Sequence, residues 1–149
     1  MHPSLTPLPA IGRVLLALIF VLAGINKLGT IAATSAYMAS HGIPYANDLV
    51  WGVIALELGG GIMLIVGLLA RLVAAAYFFY LSALATIFHP YWTIVGAAAR
   101  TQHAMFFEHV AMMGGMLFVV AFGAGPYSLD SLIWRQRPAS GLPHPQPAE

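Results

Sequence analysis

Along the chain, apolar residues gather in four long runs, and polar residues collect between them and at the C-terminal end. The runs cover about 10–28 (AIGRVLLALIFVLAGINKL), 49–69, 72–89 and 104–124. Each approaches the ~20 residues with which an α-helix crosses a ~30 Å hydrocarbon layer, so the pattern predicts four membrane-spanning helices. Only the residues around Gly67 to Arg71 separate the second run from the third, which predicts a tight antiparallel hairpin. The first connection is longer. It places Tyr37, Met38 and His41 on adjacent turns before Gly42, the pattern of a short helix lying in the interface plane. The end of the chain from Arg135 (RQRPASGLPHPQPAE) is polar and Pro-rich without apolar periodicity, and it is predicted to be disordered. The expected organisation is a short N-terminal segment (1–9), one membrane domain (10–131) and a polar tail (132–149). The start, MHPSLTPLP, carries no Lys or Arg and leads into a run of full span length, so the first helix is expected to be retained, not cleaved as a leader.

Composition supports this reading. Apolar residues make up 60% of the chain and charged residues 7%, against roughly 25% charged in soluble domains. Mean hydropathy is +0.83. The expected fold is an all-α integral membrane four-helix bundle, up-down-up-down, in a lipid bilayer. Without cysteine the chain holds neither disulfides nor thiolate ligands. Six Lys and Arg spread along its length make no nucleic-acid surface, and no phosphate loop, dinucleotide fingerprint or Ser-His-Asp series appears. Arg13, Arg71, Arg135 and Arg137 fall on the side of the termini, whereas Lys27 and Arg100 fall on the other, which predicts both termini in the cytoplasm.

That topology brings polar residues towards one end of the bundle. Asn26, Lys27, Glu57, His89, His103, Glu108 and His109 all fall in the outer third of the bilayer and form a candidate ligand pocket. Glu57 and Glu108 stand out because each lies inside an apolar run, where a carboxylate persists only with partners or a function. Both are candidate proton-exchanging groups. Glu57 shares a helix face with Gly60 and Gly61, and Gly24 lies on the face of the first helix that carries Arg13, Phe20 and Lys27. With Gly114 and Gly115, these glycines are expected to let helices approach closely. Similar openings, GRVLLALIF and ARLVAAAYF, hint at two related hairpins.

Two readings of Glu57 stand level. It is either a buried ion pair with Lys27 that specifies the bundle, or a proton-exchanging carboxylate beside a redox-active lipid. A haem or metal site is disfavoured, because His103 and His109 lie on different faces of one helix. Met105, Met112, Met113 and Met116 read as packing residues.

GRVLLALIFVLAGINKL, ELGGGIMLIVGLLAR, FHPYW and GGMLFVVAFGAGPYSLD occur in order over about residues 11–131, and the set resembles the DoxX family of small bacterial inner-membrane proteins. The resemblance implies a four-helix inner-membrane protein. Some members are associated with quinone-linked oxidoreductases and others with responses to oxidants or electrophiles. It therefore implies a membrane component of a quinone-linked redox or detoxification system, with a quinone as candidate cofactor and an oxidoreductase subunit as candidate partner. Apart from the resemblance, a homo-oligomer is a further candidate partner. The alternative is a non-catalytic assembly protein whose buried charges are structural. The matching polar positions are Arg13, Asn26, Lys27, Glu57, Arg71, His89 and Asp130. Where similar sequences carry a basic residue followed by Asn, this chain has Glu108-His109, an inversion of local charge.

Overall fold

The computed structural model describes residues 7–135. It contains α1 (Leu8–Gly29), α2 (Ile31–Ser40), α3 (Ala46–Val66), α4 (Ala70–Phe88), α5 (Ala97–Phe122) and α6 (Leu129–Arg135), with a 3₁₀ turn at Tyr91–Thr93. No strand occurs among the described residues. Helices α1, α3, α4 and α5 are long and apolar enough to cross a membrane.

Helix α5 begins seven residues before the apolar run that announced it. Its first turns, AAARTQH, are good helix formers but too polar to register as part of a span. Helix α3 ends earlier than expected, because Gly67 turns left-handed (φ 71°) and its N–H and that of Leu68 bond back to the carbonyls of Leu64 and Met63. The predicted short helix exists as α2, and Gly42 follows it with φ 79°. Helix α6 extends through 132–135, residues assigned to the polar tail. The rest of that tail lies outside the described residues.

The bundle is packed on the inside and apolar on the outside. Ala17, Leu64, Ala74, Tyr77, Leu81 and Met116 are fully buried, and Phe20 stacks on Tyr77 with ring centres 4.0 Å apart. Outward-facing Leu15, Phe79 and Phe122 are 65%, 71% and 73% exposed. Such an apolar exterior is costly in water and natural in lipid. A second, smaller core lies between α2 and the first half of α3, built from Met38, Ala46, Val50 and Ile54.

Small residues set the approach of the helices. A methyl group on Gly24 would meet Leu58, one on Gly61 would meet Val21, and one on Gly115 would meet Leu16, all within 3 Å. Gly114, expected to pack in the same way, has open space around it. Neighbours in a helix point ~100° apart, so only one of the pair can face α1.

Arg13 ties one end of the bundle together. Buried to 3% exposure, it donates to the carbonyls of Ala124, of Tyr127 (2.9 Å) and of Ile65 (3.2 Å). Nearby, the Asp130 carboxylate accepts the N–H groups of Leu69 (2.8 Å) and Ala70 (2.9 Å), capping α4 from a distance in sequence. The Asp130 N–H in turn donates to the Gly67 carbonyl at 2.9 Å. A side chain on Gly67 would collide with Ser128 and the Arg13 guanidinium. Arg71, placed like Arg13 at the start of its hairpin, is exposed, so any kinship between the hairpins does not extend to these arginines.

Candidate functional site

Halfway along α3 the helix widens into a π-turn over Leu56–Gly60. A π-turn shifts the hydrogen-bond ladder by one residue and disturbs the carbonyls at its edge. Tyr77 of α4 supplies what those carbonyls need. Its hydroxyl donates towards the carbonyls of Leu56 (3.0 Å) and Glu57 (3.1 Å). It can approach because residue 60 is glycine, where a methyl group would lie 2.9 Å from the tyrosine oxygen.

The widened turn presents Glu57 to the bundle interior at 3% exposure. Lys27 Nζ donates to both carboxylate oxygens, at 2.9 and 2.8 Å, and the Tyr80 hydroxyl donates to Oε1 at 2.6 Å. A charge this deep is tolerable only with an opposite charge and hydrogen bonds in good geometry, and Glu57 has both.

This network opens onto a cavity of about 300 Å³ at the seam between the two cores. Its walls are mainly apolar and aromatic, with Tyr37, Met38, Val53, Leu84 and Phe88 among them. Such a lining with a few convergent polar groups is the usual character of a small-molecule site. Tyr37 stacks on Phe88 with centres 5.3 Å apart, and so ties α2 to the end of α4.

Of the seven residues expected in the pocket, Lys27, Glu57, His89 and His109 line this cavity. The other three lie elsewhere. Asn26 is exposed beside Lys27, one helical step away. His103 is exposed and packs on Tyr91 and Phe107, with ring centres 4.8 and 4.7 Å away. Glu108 is exposed on the outside of α5 because its neighbour His109 faces inward, so only one of the two span carboxylates reaches the interior. His109 lies 4.9 Å from the ring of His89, and His89 Nδ1 meets Gln102 Oε1 at 2.7 Å. Among the described residues, no three His, Cys, Asp or Glu side chains converge as a metal site. Met116 is fully buried, and Met112 and Met113 pack against the main core.

Sequence reasoning passed over Tyr77 and Tyr80, which it read as part of an apolar run. Their signal was the hydroxyl itself, since a tyrosine in mid-span needs a partner and two tyrosines three residues apart share a face.

The DoxX family profile matches residues 8–90, which include α1 to α4 and therefore Lys27, Glu57, Tyr80 and His89. The chain belongs to the DoxX family. Two Escherichia coli K12 relatives agree with this. The chain is 31% identical to inner membrane protein YphA over 120 residues, 80% of this chain and 86% of that one. It is 31% identical to inner membrane protein YqjF over 123 residues, 83% of this chain and 89% of that one. No solved structure gives a significant match. With four candidate spans, this DoxX protein is a multi-pass protein of the bacterial inner membrane. His109 lies beyond the part matched by the family profile.

Proposed function

We propose that this DoxX protein is the membrane component of a quinone-linked redox or electrophile-detoxification system, with the cavity as the binding site for a lipid-soluble aromatic ligand. The observation that carries this reading is the opening of the Lys27–Glu57–Tyr80 network onto an apolar cavity of about 300 Å³. That volume is at the lower end of ligand sites and suits a single planar headgroup. The residues fit such a group. Lys27 keeps one N–H beyond the two given to Glu57, Phe88 and Tyr37 offer flat apolar surface, and His89 and His109 offer ring nitrogens. A quinone there would carry electrons and protons to or from a redox centre on a partner oxidoreductase subunit. The chain's own residues would hold the headgroup and exclude water. In this reading the bundle is up-down-up-down with both termini in the cytoplasm, and the cavity lies towards the outer face. A reporter fused to the C-terminus is expected to read cytoplasmic.

The test is extraction of the protein from native membranes in mild detergent, followed by mass spectrometry of the proteins and lipid-soluble molecules retained. A retained quinone or its hydroquinone, lost from the folded Lys27→Met/Glu57→Leu double variant, is the expected result. Folded protein that carries neither form would overturn it. A second reading, a non-catalytic assembly protein, rests on the closure of the same network, since Lys27 and Tyr80 already satisfy both Glu57 oxygens. For that role the double variant would keep every partner that the native protein retains.

A further inference from the structure

Two imidazoles give the cavity a second kind of polar group. His109 of α5 faces His89 across the α4–α5 contact, with ring centres 4.9 Å apart, and both line the cavity. His109 Nδ1 lies 2.7 Å from the Met105 carbonyl, which can only accept, so the ring proton resides on Nδ1. Gln102 presents its amide oxygen to His89 Nδ1 at 2.7 Å and sets the same tautomer there. With the proton on Nδ1, the neutral form of each ring leaves Nε2 as an acceptor with a lone pair. The other polar or charged groups on the cavity wall are Lys27 of α1, Thr34 and Tyr37 of α2, Glu57 of α3 and Tyr80 of α4. Glu57 is engaged by Lys27 and Tyr80, so the carboxylate is not the acceptor most open to a ligand. The two imidazoles are.

We infer that His89 and His109 form a hydrogen-bond acceptor pair that selects ligands bearing a ring hydroxyl, a hydroquinone or phenol in preference to a quinone. This rests on the reading of the cavity as a site for a lipid-soluble aromatic ligand. A hydroxyl donates to an Nε2 lone pair, whereas a quinone carbonyl sets one lone pair against another. In a dry pocket the group left without its partner bears the desolvation cost, so sites built around a hydroxyl discriminate strongly against the analogue that lacks it. Gln102 is a positioning residue in this scheme, because it holds the His89 proton on the nitrogen away from the ligand.

The test uses full-length protein in lipid nanodiscs, titrated without oxygen with a decyl-substituted benzoquinol and separately with the matching benzoquinone. The quinol is expected to bind about tenfold more tightly, the equivalent of one net hydrogen bond. His109→Phe and His89→Phe should each lower quinol affinity towards that of the quinone while quinone affinity holds, which also reports an intact fold. Gln102→Ala should narrow the ratio less. Equal affinity for the two forms in the native protein, or a preference that survives both His→Phe changes, would overturn the acceptor pair and leave the cavity as a ligand site. Binding of neither form would overturn the ligand reading and the selectivity with it.

Discussion

The two ends of this bundle use buried charge in opposite ways. At one end Arg13 gives its hydrogens to the main-chain carbonyls of Ile65, Ala124 and Tyr127, and Asp130 takes two main-chain N–H groups at the start of α4. At the other, Glu57 is held by the side chains of Lys27 and Tyr80 beside a cavity. Backbone partners are fixed by the fold, so a charge that serves them acts as a clasp joining α1, α3, α4 and the C-terminal segment. Side-chain partners can rotate, share protons or turn to a ligand. The difference teaches that a charge buried in a membrane bundle is better interpreted from what it bonds to than from its burial, since Arg13 and Glu57 are both 3% exposed.

If the clasp is structural, its loss should cost most. Arg13→Met leaves three carbonyls without their charged donor and is expected to destabilise the protein by about 3 kcal/mol or more, seen as loss of folded protein on thermal unfolding in detergent. Gly67→Ala should behave alike, because the left-handed backbone and the Ser128 contact both resist a side chain. A stable, monodisperse Arg13→Met protein would break the comparison.

The cavity end should respond differently. Lys27→Met alone strands the Glu57 carboxylate and should cost about 3 kcal/mol, whereas Lys27→Met/Glu57→Leu should recover most of that loss, because a buried ion pair is often replaceable by apolar residues of similar size. Thermal unfolding of the single and double variants checks this. A double variant no more stable than Lys27→Met would show that the pair also acts as a clasp. Tyr80→Phe removes one hydrogen bond to a charged acceptor and should cost about 1.5 kcal/mol. Asp130→Ala, which uncaps α4, should cost about 1 kcal/mol in the same assay.

The smallest effect is expected at Gly114. Gly114→Ala should leave unfolding unchanged or raise the midpoint slightly through helix propensity, while Gly115→Leu, pressed against Leu16, should lower it clearly. Equal effects at the two positions would mean that α5 is rotated relative to α1.

Much of this was legible before the fold was known. The glycine face pointed to an inward Glu57 and to close contacts at Gly24, Gly60 and Gly61; all four are buried, and a methyl group on Gly24, Gly60 or Gly61 would meet a neighbouring helix. The same reasoning failed on α5. That helix is apolar nearly all round, so no stripe told Glu108 from His109, or Gly114 from Gly115. Tyr77 and Tyr80 were hidden for another reason, since their partners lie on α3, about twenty residues away, at a π-turn that no local pattern announced.

Hydropathy is a local, additive property, and by itself it determined the number of spans, the apolar exterior and the scarcity of charges that makes each one informative. Which charge meets which partner is not local. It depends on how far each helix is rotated and on where one of them widens by a residue, and a rotation of one position (~100°) exchanges an inward side chain for an outward one. Only the packed structure could therefore decide that Arg13 serves the backbone, that Glu57 is shared between Lys27 and Tyr80, and that His109, not Glu108, faces His89.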